Sequence, residues 1–121
     1  MNKILLIDDD THFREMFAVL LKRNNYIVIE AGDGRYAKEL YNEHQPDLVI
    51  TDIIMPDKEG IETILDLKKE YPNIKIIAVS GGGRTNAMDN LRSARLLGAT
   101  LTFEKPFENK EILEAIAKLI A

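Results

Sequence analysis

Acidic side chains gather at two points of the chain, Asp8-Asp9-Asp10 and Asp52, and a hydroxyl at Ser80 and an ammonium at Lys105 follow further on. Each of these groups ends a short apolar run. Carboxylates brought within a few ångströms of one another repel unless a cation intervenes. A hard divalent cation removes that conflict. Mg²⁺ takes oxygen ligands octahedrally, keeps several waters and is typically held by one or two carboxylates plus a phosphate, which suits this inventory better than zinc does. The two histidines, His12 and His44, fall in separate helical patterns and make no metal pair. An ammonium and a hydroxyl beside the cation would hold the spare oxygens of a transferring phosphoryl group. The chemistry indicated is phosphoryl transfer to or near Asp52.

Such chemistry requires a fold that delivers all these groups to one place. Apolar, mostly β-branched runs predict strands at Lys3 to Ile7, Ile27 to Glu30, Leu48 to Thr51, Ile74 to Val79 and Thr100 to Glu104, most of them covered on both faces. Between them the period changes to that of a helix. Phe13, Met16, Phe17, Leu20 and Leu21 form one apolar stripe, and Ile112, Leu113, Ile116, Leu119 and Ile120 form another. Weaker helical patterns run from about Gly34 to Glu43, Ile61 to Glu70 and Asn86 to Leu97. Strands alternating with single helices imply an α/β fold, a doubly wound five-stranded parallel sheet with right-handed crossovers and helices on both faces. All strands then present their carboxyl ends at one edge, where ligands bind. Asp8 to Asp10, Asp52, Ser80 and Lys105 follow four of the five strands. Asp10 is expected to cap the first helix, since Asp is a preferred N-cap and Thr11 opens the helical pattern.

Composition narrows the partners. With 121 residues, 45% of them hydrophobic, the chain can bury a single core without staples, and one domain spanning residues 1–121 is expected. The absence of cysteine excludes a disulfide framework and fits a reducing compartment. No apolar run reaches the roughly 18 residues needed to span a bilayer. No secretory pattern opens the chain, which reads as cytoplasmic. The 16 Lys and Arg are scattered and the net charge is -4, which argues against direct nucleic-acid binding. Proteins or small ligands are the expected partners, and no membrane contact is expected.

The motifs Ile-Asp-Asp-Asp at 7 to 10, Thr-Asp-Ile-Ile-Met-Pro-Asp-Lys-Glu-Gly at 51 to 60, Val-Ser-Gly at 79 to 81, Gly-Ala at 98 to 99 and Glu-Lys-Pro-Phe at 104 to 107 occur in order, each at or beside a strand end. Over essentially its whole length the chain resembles the receiver domain of two-component response regulators. The resemblance implies a flavodoxin-like strand order 2-1-3-4-5. It implies that Asp52 accepts a phosphoryl group from a sensor histidine kinase or phosphotransfer protein. Asp9 would ligate Mg²⁺ directly, Asp8 largely through water, and Asp52 and the carbonyl of Ile54 would complete the protein ligands. Lys105 and Ser80 would each meet a phosphoryl oxygen, and Pro106 would follow a cis peptide bond. Phosphorylation would switch the face of the fourth helix, fifth strand and fifth helix toward a downstream output domain or target protein. Homodimerisation on phosphorylation is an outcome the resemblance leaves open. The chain would promote only its own phosphorylation and dephosphorylation, and would not be an enzyme in the usual sense.

The sequence departs from the family pattern at two places. Three positions before Lys105, where Tyr or Phe is common, stands Thr102, while Phe103 replaces a commonly aliphatic residue. The usual aromatic switch is therefore not expected. Ile54 and Gly82 offer no polar group to orient an attacking water, which predicts slow self-dephosphorylation. Two other readings compete. A magnesium phosphohydrolase of the haloacid dehalogenase type also uses an Asp nucleophile, and Asp8-x-Asp10 imitates its opening motif. The chain could also be an interaction module that is not phosphorylated.

Overall fold

Runs of aliphatic and β-branched residues form five strands, β1 (Lys3–Ile7), β2 (Ile27–Ala31), β3 (Leu48–Asp52), β4 (Ile76–Ser80) and β5 (Leu101–Glu104). Four helices are seen among the described residues: α1 (Thr11–Arg23), α2 (Ala37–His44), α3 (Gly60–Glu70) and α4 (Asn109–Ile120). The structure is a computed structural model that describes residues 2–53, 60–80, 95 and 98–120. The helix expected over Asn86 to Leu97 (apart from Arg95), the Gly81-Gly82-Gly83 run and the Ile54 ligand lie outside the described residues.

The strands pair in parallel in the order β2-β1-β3-β4-β5. This is the doubly wound, flavodoxin-like arrangement expected from the sequence. Alternation along the strands divides the core into two layers. Leu5, Ile7, Val49, Ile76 and Ala78 face Ala37 of α2 and Ile64 and Leu67 of α3. Ile4, Leu6, Leu48, Ile50, Ile77 and Val79 face Phe17, Ala18 and Leu21 of α1 and Ile112 and Ile116 of α4. Strands β3 and β4 are buried at every residue, whereas the edge strands β2 and β5 are half-buried. Cover on both faces therefore holds for the middle of the sheet, because an edge strand has a neighbour on one side only.

Helix α1 begins where its sequence says it should. Asp10 is the N-cap, its carboxylate accepting from the Phe13 N–H at 3.1 Å, and Lys22 and Arg23 close the last turn. After it the chain reverses through Asn25, held at φ 71° in the left-handed region that Asn tolerates.

Two boundaries differ from the sequence reading by more than one residue, each for a local reason. Helix α2 starts at Ala37 rather than Gly34. A Cβ on Gly34 would collide with the Thr63 side chain of α3, so this glycine is a point of close approach. Strand β4 starts at Ile76 rather than Ile74. Ile74 is buried, but its N–H donates to the Tyr71 carbonyl at 3.0 Å in the turn after α3. Burial of an apolar side chain does not require the sheet ladder.

Candidate functional site

Register brings the reactive groups to one edge. Ile7 pairs with Thr51 and Asp52 with Val79, so Asp8, one residue beyond β1, comes level with Asp52 at the end of β3. The Asp8 N–H donates to Ala31 at 3.0 Å, and the Ile53 N–H to Val79 at 2.9 Å, which fixes both strand ends. Ser80 ends β4, and its carbonyl accepts from the Lys105 N–H at 2.7 Å, which draws the residue after β5 to the same edge.

Carboxylate oxygens of Asp8, Asp9 and Asp52 lie within 4.8 Å of one another. Asp8 is fully buried and Asp52 almost so. Lys105 Nζ stands 2.8 Å from Asp8 Oδ2 and 3.7 Å from Asp52 Oδ2. The peptide bond from Lys105 to Pro106 is cis. One ammonium cannot neutralise three carboxylates. The excess negative charge and the oxygen-only donor set fit a hard divalent cation such as Mg²⁺. The Ser80 hydroxyl is buried with no hydrogen-bond partner among the described residues. A buried hydroxyl left unpaired costs about 1–3 kcal/mol, so its persistence is a reason to look for an absent partner.

The supporting residues fix the strand ends and the Asp8 carboxylate. Arg14 Nη1 donates to the Asp8 carbonyl at 2.8 Å while Nε donates to Glu30 at 3.2 Å, tying β1 to the edge strand. The Asp10 N–H donates to Asp8 Oδ1 at 2.9 Å, which orients that carboxylate. Gly60, the first residue of α3, lies directly against the strand end. A Cβ there would strike the Asp52 carbonyl and Ile53 Cα, and the Gly60 N–H donates to the Ile53 carbonyl at 2.5 Å.

Of the residues singled out in the sequence, Asp8, Asp9, Asp52 and Lys105 are brought together, and Ser80 reaches the same sheet edge. Asp10 is not in the carboxylate cluster, because its side chain caps α1. The sequence pattern assigns no role to Arg14 or Gly60. Arg14 did carry a signal: a cation in the first turn opposes the helix dipole, so it needs a partner elsewhere. The pattern gave Phe13 only a place in the apolar stripe of α1.

A doubly wound parallel sheet that gathers acids, a hydroxyl and a lysine at the carboxyl ends of its strands carries the parts of a phosphoryl-transfer site. Comparison with known proteins agrees. The response regulator receiver domain family matches residues 4–117. The chain is 36% identical to the chemotaxis protein CheY of Bacillus subtilis, over 98% of both chains. It is 30% identical to sporulation initiation phosphotransferase F of the same organism, over 98% of this chain and 93% of that protein. A crystal structure of a response regulator receiver domain protein from Clostridium thermocellum superposes with a TM-score of 0.90 at 29% identity, covering 99% of this chain and 94% of that one. The chain belongs to the response regulator receiver domain family, the phosphoacceptor modules of two-component signalling.

Proposed function

We propose that Asp52 is the phosphoacceptor of a single receiver domain spanning residues 1–121. The observation that carries this reading is the Lys105 ammonium beside Asp8 and Asp52 within a cluster of three carboxylates. An Asp52 carboxylate oxygen attacks the phosphorus of a phosphohistidine on a sensor histidine kinase or phosphotransfer protein. The P–N bond breaks, its electron pair returns to the imidazole nitrogen, and an acyl phosphate forms on Asp52. Lys105 pairs with one phosphoryl oxygen, and the Ser80 hydroxyl donates to another, which supplies the partner it lacks among the described residues. Asp9 and Asp52, with Asp8 through water and the Ile54 carbonyl, would hold Mg²⁺. When bound, that cation supplies charge neutralisation for the carboxylates and the transferring phosphoryl oxygens.

The domain modifies itself and turns over no separate substrate, so it acts as a signalling phosphoacceptor rather than as an enzyme. Its phosphorylated form addresses an output domain or target protein, in the cytoplasm, where the nucleoside triphosphate that charges the kinase is available. The haloacid dehalogenase reading calls for Asp10 beside Asp8 as a second reacting acid, and it is disfavoured because Asp10 caps α1 and stands outside the carboxylate cluster.

The test is exposure of the full chain to acetyl phosphate and Mg²⁺, followed by intact-protein mass spectrometry. The wild type should gain one hydroxylamine-labile phosphoryl group. Asp52→Asn and chelation should abolish the gain, while Asp10→Asn, which keeps the cap, should retain it. Labelling that survives in Asp52→Asn would refute the assignment.

A further inference from the structure

The first turn of α1 sets an aromatic ring against the working end of Lys105. Nζ lies 3.9 Å from the centroid of the Phe13 ring, well inside the range of about 6 Å over which a cation is attracted to an aromatic face. The same ammonium touches Asp8 and approaches Asp52, and the lysine side chain is only 15% exposed. It is thus bounded by carboxylates and by the ring. An ammonium is a compact, strongly hydrated charge on a flexible four-carbon stem. An aliphatic side chain at position 13 would turn part of that charge toward hydrocarbon, with nothing to replace the lost water.

The ring itself is braced. The Phe13 N–H is held by the Asp10 cap at 3.1 Å. Its ring packs 5.6 Å from Phe17, one turn on, and 5.9 Å from Phe107, edge to face at 87°. Phe17 and Phe107 lie 5.6 Å apart and close the triangle. Phe107 stands two residues past Lys105, so the segment that carries the lysine also carries a ring that steadies its platform. Phe13 is only partly buried, whereas Phe17 on the same stripe is 4% exposed. Phe17 lies inside the core, whereas Phe13 packs at its rim, where one side of the ring meets the cluster and the face meets the Lys105 ammonium.

We propose that Phe13 is a positioning residue for phosphoryl transfer, its π face holding the Lys105 ammonium beside Asp52. Fixing the cation before the phosphoryl group arrives removes a reorganisation that a free lysine would undergo during the reaction. This inference rests on the phosphoacceptor reading of Asp52.

Fluorinated phenylalanines at position 13 provide the test, because mono-, di- and trifluorination withdraw negative charge from the ring face while nearly keeping its shape. In the full chain, phosphorylation by acetyl phosphate should slow stepwise along the series. The loss should reach about threefold to tenfold with the trifluoro ring. Phe13→Leu should fall as far, and Phe13→Tyr should keep the wild-type rate, with thermal unfolding compared for every variant. A second readout needs no phosphoryl group. The ε-methylene protons of Lys105 should resonate upfield through the ring current, and should move toward the position of exposed lysines along the series. An unphosphorylated wild type would refute the phosphoacceptor reading, and the proton shift alone would then decide whether Phe13 holds Lys105. A phosphorylated wild type with rate and shift flat across the series would overturn the role of Phe13.

Discussion

The Lys105 ammonium lies closer to Asp8, at 2.8 Å, than to Asp52, at 3.7 Å, so the cation leans on the carboxylate that β1 delivers. Asp8 is fully buried. Removing one partner of a buried pair leaves the other as an uncompensated charge, at a typical cost of 3–5 kcal/mol. Lys105→Met should therefore destabilise the domain by about 3 kcal/mol in a chelating buffer. Saturating Mg²⁺ should return part of that loss, because a ligand that binds only the folded state adds its binding free energy to stability. Urea unfolding with and without Mg²⁺ measures both. Equal stability of variant and wild type in chelator would show that the ammonium is not compensating the cluster.

The Ser80 hydroxyl gives a prediction of opposite sign. It is buried and unpartnered among the described residues, and an unpaired buried hydroxyl is a stability cost rather than a gain. Ser80→Ala should leave the unphosphorylated domain as stable as the wild type, or about 1 kcal/mol more stable. The same change should slow phosphoryl uptake. Chemical denaturation paired with acetyl phosphate kinetics separates the two effects. A loss of more than about 1 kcal/mol would mean that the hydroxyl already has a strong partner in the resting protein.

Much of this site was legible because parallel topology converts sequence position into spatial position. Once Leu5, Val49, Ile77 and Phe103 are read as strand interiors, the ends of those strands must share an edge, and Asp8, Asp52, Ser80 and Lys105 do so. Supporting contacts were less legible because they depend on how elements approach one another. Nothing in the pattern around Gly60 says that its missing Cβ makes room for the Asp52 carbonyl. Nothing around Phe13 separates a ring that touches a cation from one that only fills the core. Boundaries failed where burial and hydrogen bonding part company, as at Ile74, whose side chain is in the core while its N–H closes a turn.

Gly60 shows how little room the strand end has. A Cβ there would overlap the Asp52 carbonyl and Ile53 Cα, and backbone atoms of a central strand cannot yield as a side-chain tip can. Gly60→Ala should cost about 3 kcal/mol, at the upper end of overpacking penalties. It should also reduce phosphorylation of the fraction that remains folded, since the shift falls on Asp52 itself. The measurement is urea unfolding together with phosphorylation rates normalised to folded protein. A variant with normal stability and rate would mean that α3 can retreat without disturbing β3.

The face opposite the aromatic cluster provides a pH test. Tyr41 of α2 packs against Tyr71 with centroids 4.3 Å apart and the rings tilted by 41°. Burial pushes its phenol above the usual 10.0, and the charges of Tyr71 and Asp47 push it the same way. A group whose pKa is higher folded than unfolded binds its proton more tightly in the native state. Its stabilising contribution is complete below the unfolded value near 10.0, and is lost as pH rises through the folded value. In alkaline solution the wild type should therefore lose stability more steeply than Tyr41→Phe, which has no phenol to ionise at that position. Tyrosinate absorbance should show a step above the usual phenol range, and that step should vanish in Tyr41→Phe. Identical alkaline unfolding profiles for the two proteins would place Tyr41 in contact with solvent and remove the linkage.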